Sequence, residues 1–429
     1  MRKDTDVHEK TPSGKKPGGR KKLIENFLSF SGINILNTLI PLLIYPYLVR
    51  VLGVEMAGLI AFSGSLVAYF RIVVEYGLSL VGARDLVQFQ ANKPRSLSVF
   101  SHIMWIRLLL LAASLAVGTV VIFAVPVFQK EWLFHVLFLS ALIGETLYVP
   151  WVFQAYEQMK YATLSMVVSK VLFAAGVFWL IQTKADYLWY PILFSGSAFI
   201  SGVAALYFIF RKFSLRITGL RPVMLKYYLV EGWYLFLSRL FVNLYNSTNI
   251  LILGFFTNEL IVGYYAIAGK VISAAISFVD ILNQVLYPRL SQAYRKSKGA
   301  YERMLKQSAI IVLGAGLAGS LFCLVLSEWI VLVVAGEVVP QSVTVLQIIS
   351  ALIFLASIGS FSTKQFIIAR KNKLVTRIVL ITSVVNLVLV FIVVPFYGLV
   401  GLAVVSVVVR LTQAGQNLYE LKVLTNELK

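Results

Sequence analysis

The 429-residue chain has one cysteine, Cys323, three histidines and few acidic side chains, 19 Asp and Glu against 39 Lys and Arg. A single cysteine excludes an internal disulfide and a thiolate metal cluster. His8, His102 and His135 stand in a tail or near the ends of apolar runs, and nothing resembles a histidine metal site. Neither a metal nor a cofactor is expected. The phosphate-binding pattern GxxxxGK[ST] is missing too. Its nearest relative, Gly263 to Gly269-Lys270, has one residue too many and Val271 where magnesium needs a hydroxyl. That excludes an ATPase engine within this chain. No DxD-like pair, HExxH or GxSxG stands in a loop. The densest acidic set, Glu75, Glu145 and Asp280, lies inside apolar runs, where raised pKa values suit proton exchange better than bond chemistry. The chain is therefore not expected to be an enzyme.

What is abundant is apolar surface. Hydrophobic residues make up 59% of the chain and charged ones 14%, with a mean hydropathy of +0.82. That is the composition of an all-α polytopic membrane protein. The formal net charge of +20 would suggest nucleic acid in a soluble protein, but here its placement is topological. Only Arg50, Lys130 and Lys184 fall in outward loops, and most of the other basic residues lie in tails and inward loops, the positive-inside pattern. No nucleic-acid partner is expected. About twelve spans are predicted, at 26–48, 58–83, 99–125, 132–154, 162–182, 188–210, 228–254, 260–288, 304–334, 342–369, 374–395 and 398–419, each near the ~20 residues a bilayer needs. Residues 1–24 read as a basic disordered cytoplasmic tail rather than a cleavable signal. Residues 25–210 form a first six-helix lobe, 211–227 a cytoplasmic linker, 228–419 a second six-helix lobe, and 420–429 a short tail. Both termini then face the cytoplasm.

The stretch from Phe27 to Arg84 organises the rest. It holds two spans with a short break near Val54, yet it carries polar groups that lipid would reject: Asn34 and Asn37 in the first, Arg71 and Glu75 in the second. The last two sit four apart, on one helical face. Shifted by about 205 positions, the design returns. Gly58 falls on Gly263, Glu75 on Asp280 and Arg84 on Arg289. In this second copy Arg239, Asn243 and Asn246 share a face, and Lys270, Ser273, Ser277, Asp280 and Gln284 form a stripe. Two lobes related by such a repeat are a transporter architecture. Charges deep in spans usually face a wet interior, so the stripes predict a polar, mildly cationic chamber.

Arg71, Arg107, Arg239, Lys270 and Arg410 are the candidate anion-binding residues, because guanidinium holds phosphate oxygens bidentately and ammonium acts as a point charge. Asn34, Asn37, Asn243 and Asn246 can bind hydroxyls. Glu75, Glu145 and Asp280 are candidates for coupling or ion pairing. The competing structural roles are a local Arg71–Glu75 pair, a Lys270–Asp280 pair, and snorkelling of Lys170 to an interface.

Several motifs look like a known family. PYLVRVLG at Pro46–Gly53 and EYGLSLVGARD at Glu75–Asp85 resemble the Wzx-type O-antigen and polysaccharide repeat-unit flippases of the multidrug/oligosaccharidyl-lipid/polysaccharide exporter superfamily. PWVFQAYEQMKYAT at Pro150–Thr163 is similar to a further motif of that family, with Val152 replacing a Phe and Ala155 a Gly. YPRLSQAY at Tyr287–Tyr294 and YGLVGLA at Tyr397–Ala403 add to the resemblance. It implies a V-shaped bundle in the bacterial inner membrane. By alternating access, the bundle would move undecaprenyl-diphosphate-linked oligosaccharides of O-antigen or a related lipopolysaccharide to the outer leaflet. Membrane lipid, a polysaccharide polymerase and a chain-length regulator are the implied partners. The alternative within the superfamily is a cation-coupled drug exporter, which would favour an acidic pocket. A membrane glycan polymerase or ligase would need a large outward catalytic loop, and the sequence has none.

Overall fold

Short polar breaks rather than long loops divide the chain, so its apolar runs become helices stacked end to end. The computed structural model describes residues 40–427; the candidates Asn34 and Asn37 lie outside them. In the first half the helices are α1 (Ile40–Leu52), α2 (Val54–Glu75), α3 (Leu78–Gln88), α4 (Lys93–Ala124), α5 (Pro126–Gln129), α6 (Trp132–Leu139), α7 (Ala141–Leu147), α8 (Pro150–Ala155), α9 (Met159–Leu180) and α10 (Trp189–Lys212). The second half holds α11 (Pro222–Asn246), α12 (Thr248–Phe256), α13 (Glu259–Lys296), α14 (Lys298–Val325), α15 (Ser327–Ala335), α16 (Pro340–Ile349), α17 (Ala351–Ile368) and α18 (Asn372–Glu427). Among the described residues no strand occurs.

Local chemistry sets the boundaries. The Asn92 side chain caps α4 by accepting from the Arg95 amide, with Pro94 in the first turn. Asn258 caps α13 and Ser297 caps α14 in the same way. Two predicted spans, 374–395 and 398–419, merge into α18, interrupted only at Gly398, whose φ of 48° and ψ of −126° no helix contains. Nine helical stretches among the described residues are long and apolar enough to cross a bilayer. Their outer faces expose large side chains such as Trp179, Phe396 and Tyr234, as lipid contact requires. The chain is a multi-pass membrane protein.

The two halves meet chiefly where α2 crosses α13. Gly58 and Gly263, the pair that the 205-residue repeat aligns, face each other there. A Cβ on Gly58 would stand 1.8 Å from the Glu259 carbonyl oxygen, and one on Gly263 2.1 Å from that of Val54. Only glycine permits this approach of backbones, as at other small-residue crossings in membranes. Around the crossing, Lys130 reaches Glu55 at 3.5 Å and Glu259 at 3.8 Å. Glu259 foremost, with Glu55, lifts the Lys130 ammonium above the usual lysine range. Arg50 donates to the Val333 carbonyl at the end of α15.

At the other end the halves touch through α11. Tyr228 of α11 is buried in a core cluster with Leu78, Phe100 and Trp151 of the first half, Tyr76 stacks on Phe236, and Arg84 pairs with Glu231 at 3.1 Å. The expected 211–227 linker is shorter than predicted, because α10 runs to Lys212 and α11 starts at Pro222. It is also pinned to α4: the Thr218 carbonyl accepts from Ser101 and Trp105, and His102 accepts from the Arg221 amide. Residues of the family-like motifs thus carry structural work, with Arg50, Tyr76, Arg84 and Trp151 all at packing joints.

Candidate substrate cavity

Seven residues of α2, from Gly64 to Arg71, separate two polar cavities. The first, about 420 Å³, lies between the halves. Tyr45, Gly64, Phe138 and Tyr190 line it from one side, and Asn249, Tyr265, Lys270, Ser273, Ser406 and Arg410 from the other. Lys270 and Arg410 bring positive charge, and no carboxylate is among the described residues of the lining. The Lys270 ammonium stands 5.7 Å from the Tyr45 ring centroid, a cation–π contact. The Tyr45 hydroxyl is buried without a partner. Arg410 donates to Gln413 at 2.9 Å. Beneath them a neutral network joins Asn386 to Asn249 at 2.9 Å, Asn249 to Ser406 at 3.4 Å and Tyr265 to Ser406 at 3.1 Å.

The second cavity, about 300 Å³, is lined by Arg71, Glu75, Ser79, Arg107, Glu145, Thr146, Tyr148 and Ser201, among others. Its charges are mostly matched. Arg71 holds Glu145 bidentately, Nε to Oε2 at 2.7 Å and Nη2 to Oε1 at 2.6 Å. Glu75 pairs with Arg239 of α11, across the halves. Arg107 is 5% exposed and donates Nη2 to the Glu145 carbonyl at 3.0 Å.

The predicted site is therefore split. Lys270 and Arg410 share one cavity. Arg71, Arg107, Glu75 and Glu145 share the other, which Arg239 joins through Glu75. Neither of the competing ion pairs forms, the local Arg71–Glu75 pair or the Lys270–Asp280 pair across the cavity. Arg71 turns to Glu145 instead of Glu75, since a carboxylate on α7 meets the guanidinium with two parallel bonds that a neighbour four residues on does not offer. Asp280 accepts from Ser360 of α17 at 2.5 Å rather than from Lys270, because the far end of the α13 stripe faces α17. Asp280 and Asn243 are in the lining of neither cavity; the Asn243 carbonyl oxygen accepts from Ser247 at 2.9 Å. The Asn246 side chain lies outside the described residues.

Sequence reasoning missed Tyr45, Asn249 and Tyr265, which look like ordinary membrane-helix residues. It also set Lys170 aside as a snorkelling side chain. Lys170 stands within electrostatic reach of Lys270, which lines the first cavity, and of Glu145 and Arg71, which line the second. Its depth in a span was the available signal.

A family model described as "Polysaccharide biosynthesis protein" matches residues 23–294. A protein of Escherichia coli (strain K12) named "Putative O-antigen transporter" is 27% identical over 369 residues, 86% of this chain and 89% of that protein. Among solved structures, an inward-facing multidrug resistance MATE family transporter of the MOP superfamily aligns with a TM-score of 0.65 at 15% identity, covering 90% of this chain and 98% of its own. The lipid II flippase MurJ in an inward closed conformation aligns at 0.64 and 12% identity, covering 88% and 87%. The structural likenesses show that the chain shares the two-lobed fold of those proteins.

Proposed function

The chain belongs to the polysaccharide biosynthesis protein family, and on that premise we propose that it is a flippase for lipid-linked polysaccharide units. In this reading an undecaprenyl-diphosphate-linked oligosaccharide enters from the cytoplasmic leaflet and leaves to the outer one, as the lobes alternate about the Gly58–Gly263 crossing. The observation that carries it is the cavity between the halves, where Lys270 faces open space with Arg410 and no carboxylate. Positive charge away from bulk water attracts an anionic head far more than it would at a surface. The diphosphate is such a head, and Tyr45, Asn249 and Tyr265 offer hydroxyl and amide groups for the first sugar. The E. coli relative's name and the MurJ fold point the same way. The alternative, a cation-coupled drug exporter, needs an acidic cavity wall, and this one is basic.

With a polymerase and chain-length regulator acting next, loss of function leaves units stranded on the cytoplasmic leaflet. Lys270→Ala is expected to abolish surface polysaccharide in a strain that depends on this chain, with membrane levels of the protein unchanged. Normal polymer from that variant, or units accumulating on the outer leaflet, would defeat the reading.

A further inference from the structure

We propose that the cavity around Arg107 is a second anion subsite, which receives a carboxylate-bearing sugar of the lipid-linked glycan; the inference rests on the flippase reading above. Arg107 is 5% exposed, and its Nε and Nη1 are buried with no hydrogen-bond partner, while Nη2 alone is engaged, by the Glu145 carbonyl. Buried donors are almost always satisfied, and a buried cation is normally paired. Here both carboxylates of the cavity are already taken, Glu145 by Arg71 and Glu75 by Arg239. One guanidinium is left over, in the wall of a cavity of about 300 Å³.

Counting Arg71, Arg107 and Arg239 against Glu75 and Glu145 leaves one positive charge in excess, with Lys170 in electrostatic reach of Glu145 and Arg71 beyond it. A carboxylate neutralises that excess at Arg107 without bringing a second negative charge up against Glu75 and Glu145. A uronate-type carboxylate meets that requirement, and the hydroxyls of Ser79, Tyr148 and Ser201 stand along the same wall. Spacing agrees. From Gly64, which lines the first cavity, to Arg71 in the second is seven residues of α2, about 10 Å at the helical rise. One diphosphate cannot occupy both places, but a glycan whose diphosphate sits by Lys270 can extend an acidic sugar to Arg107.

The test uses the full-length protein in nanodiscs and two water-soluble probes. Both are citronellyl-diphosphate trisaccharides, one ending in glucuronate and the other in glucose. Wild type is expected to bind the glucuronate probe about tenfold more tightly or better, the worth of a charge-assisted hydrogen bond. Arg107→Gln brings the two affinities together, Arg107→Lys keeps part of the preference, and Lys270→Gln weakens both probes alike. Equal binding of the two probes by wild type overturns the proposal even if Arg107→Gln fails to fold. So does an Arg107→Gln variant that loses both probes equally, because Arg107 is then a diphosphate ligand or a packing residue. Should wild type bind neither probe, the flippase reading falls with it.

Discussion

The two cavities along α2 handle charge in opposite ways. The one by Arg71 is a lattice of matched pairs, in which Arg71 and Arg239 each neutralise a glutamate. The one by Lys270 holds cations over a neutral floor of Asn249, Asn386, Ser406 and Tyr265. The Glu75–Arg239 pair spans the halves, so the cavity by Arg71 is tied to how they sit against each other. A buried ammonium such as Lys270 is costly without a negative partner, and in the proposed flippase a ligand supplies that charge. On that reading one cavity holds the lobes and the other the head group.

The largest expected effect comes from the crossing that supports both. Gly58→Val drives a side chain into the Glu259 carbonyl and separates α2 from α13, beyond the roughly 1–3 kcal/mol of ordinary overpacking. Export of surface polysaccharide is expected to vanish, and a disulfide between cysteines placed at 54 and 263 to form poorly in the Gly58→Val background. Next comes Lys270→Met, which removes the charge while keeping the stem. Binding of a citronellyl-diphosphate probe is expected to fall at least about tenfold, with the thermal midpoint in detergent unchanged or higher. A lower midpoint with unchanged binding would move Lys270 to the structural side.

A smaller effect is expected at the inter-lobe pair. Its side chains are 37% and 26% exposed, so Arg239→Ala should destabilise by only about 0.5–1 kcal/mol while slowing export severalfold. The reversed pair, Glu75→Arg with Arg239→Glu, should recover most of that export if pairing is what matters. Smallest is Ser406→Ala, which takes one node from the neutral floor. About 1 kcal/mol of stability is expected to go, read as a modest drop in thermal midpoint, with transport within about twofold of wild type. If Ser406→Ala instead matched Lys270→Met, the floor would belong to the binding surface.

Helices that cross a bilayer write themselves into hydropathy, because lipid admits no unpaired backbone and little charge. The apolar runs, the breaks near Val54 and Thr257 and the buried basic residues could therefore be read from the order of residues alone. So could the partnership of Gly58 with Gly263, which the repeat aligned before the fold placed them in contact. What each buried charge touches depends instead on how one helix is rotated and raised against its neighbours. That is set by packing over the whole bundle, and spacing within a helix does not carry it. Hence Arg71 finds Glu145 and not Glu75, Asp280 turns to Ser360, and Lys170 comes within electrostatic reach of Glu145 and Lys270. The inventory of charges is a property of the sequence; their division into matched pairs and a separate cationic cavity arises only when α2, α7, α11 and α13 are brought together.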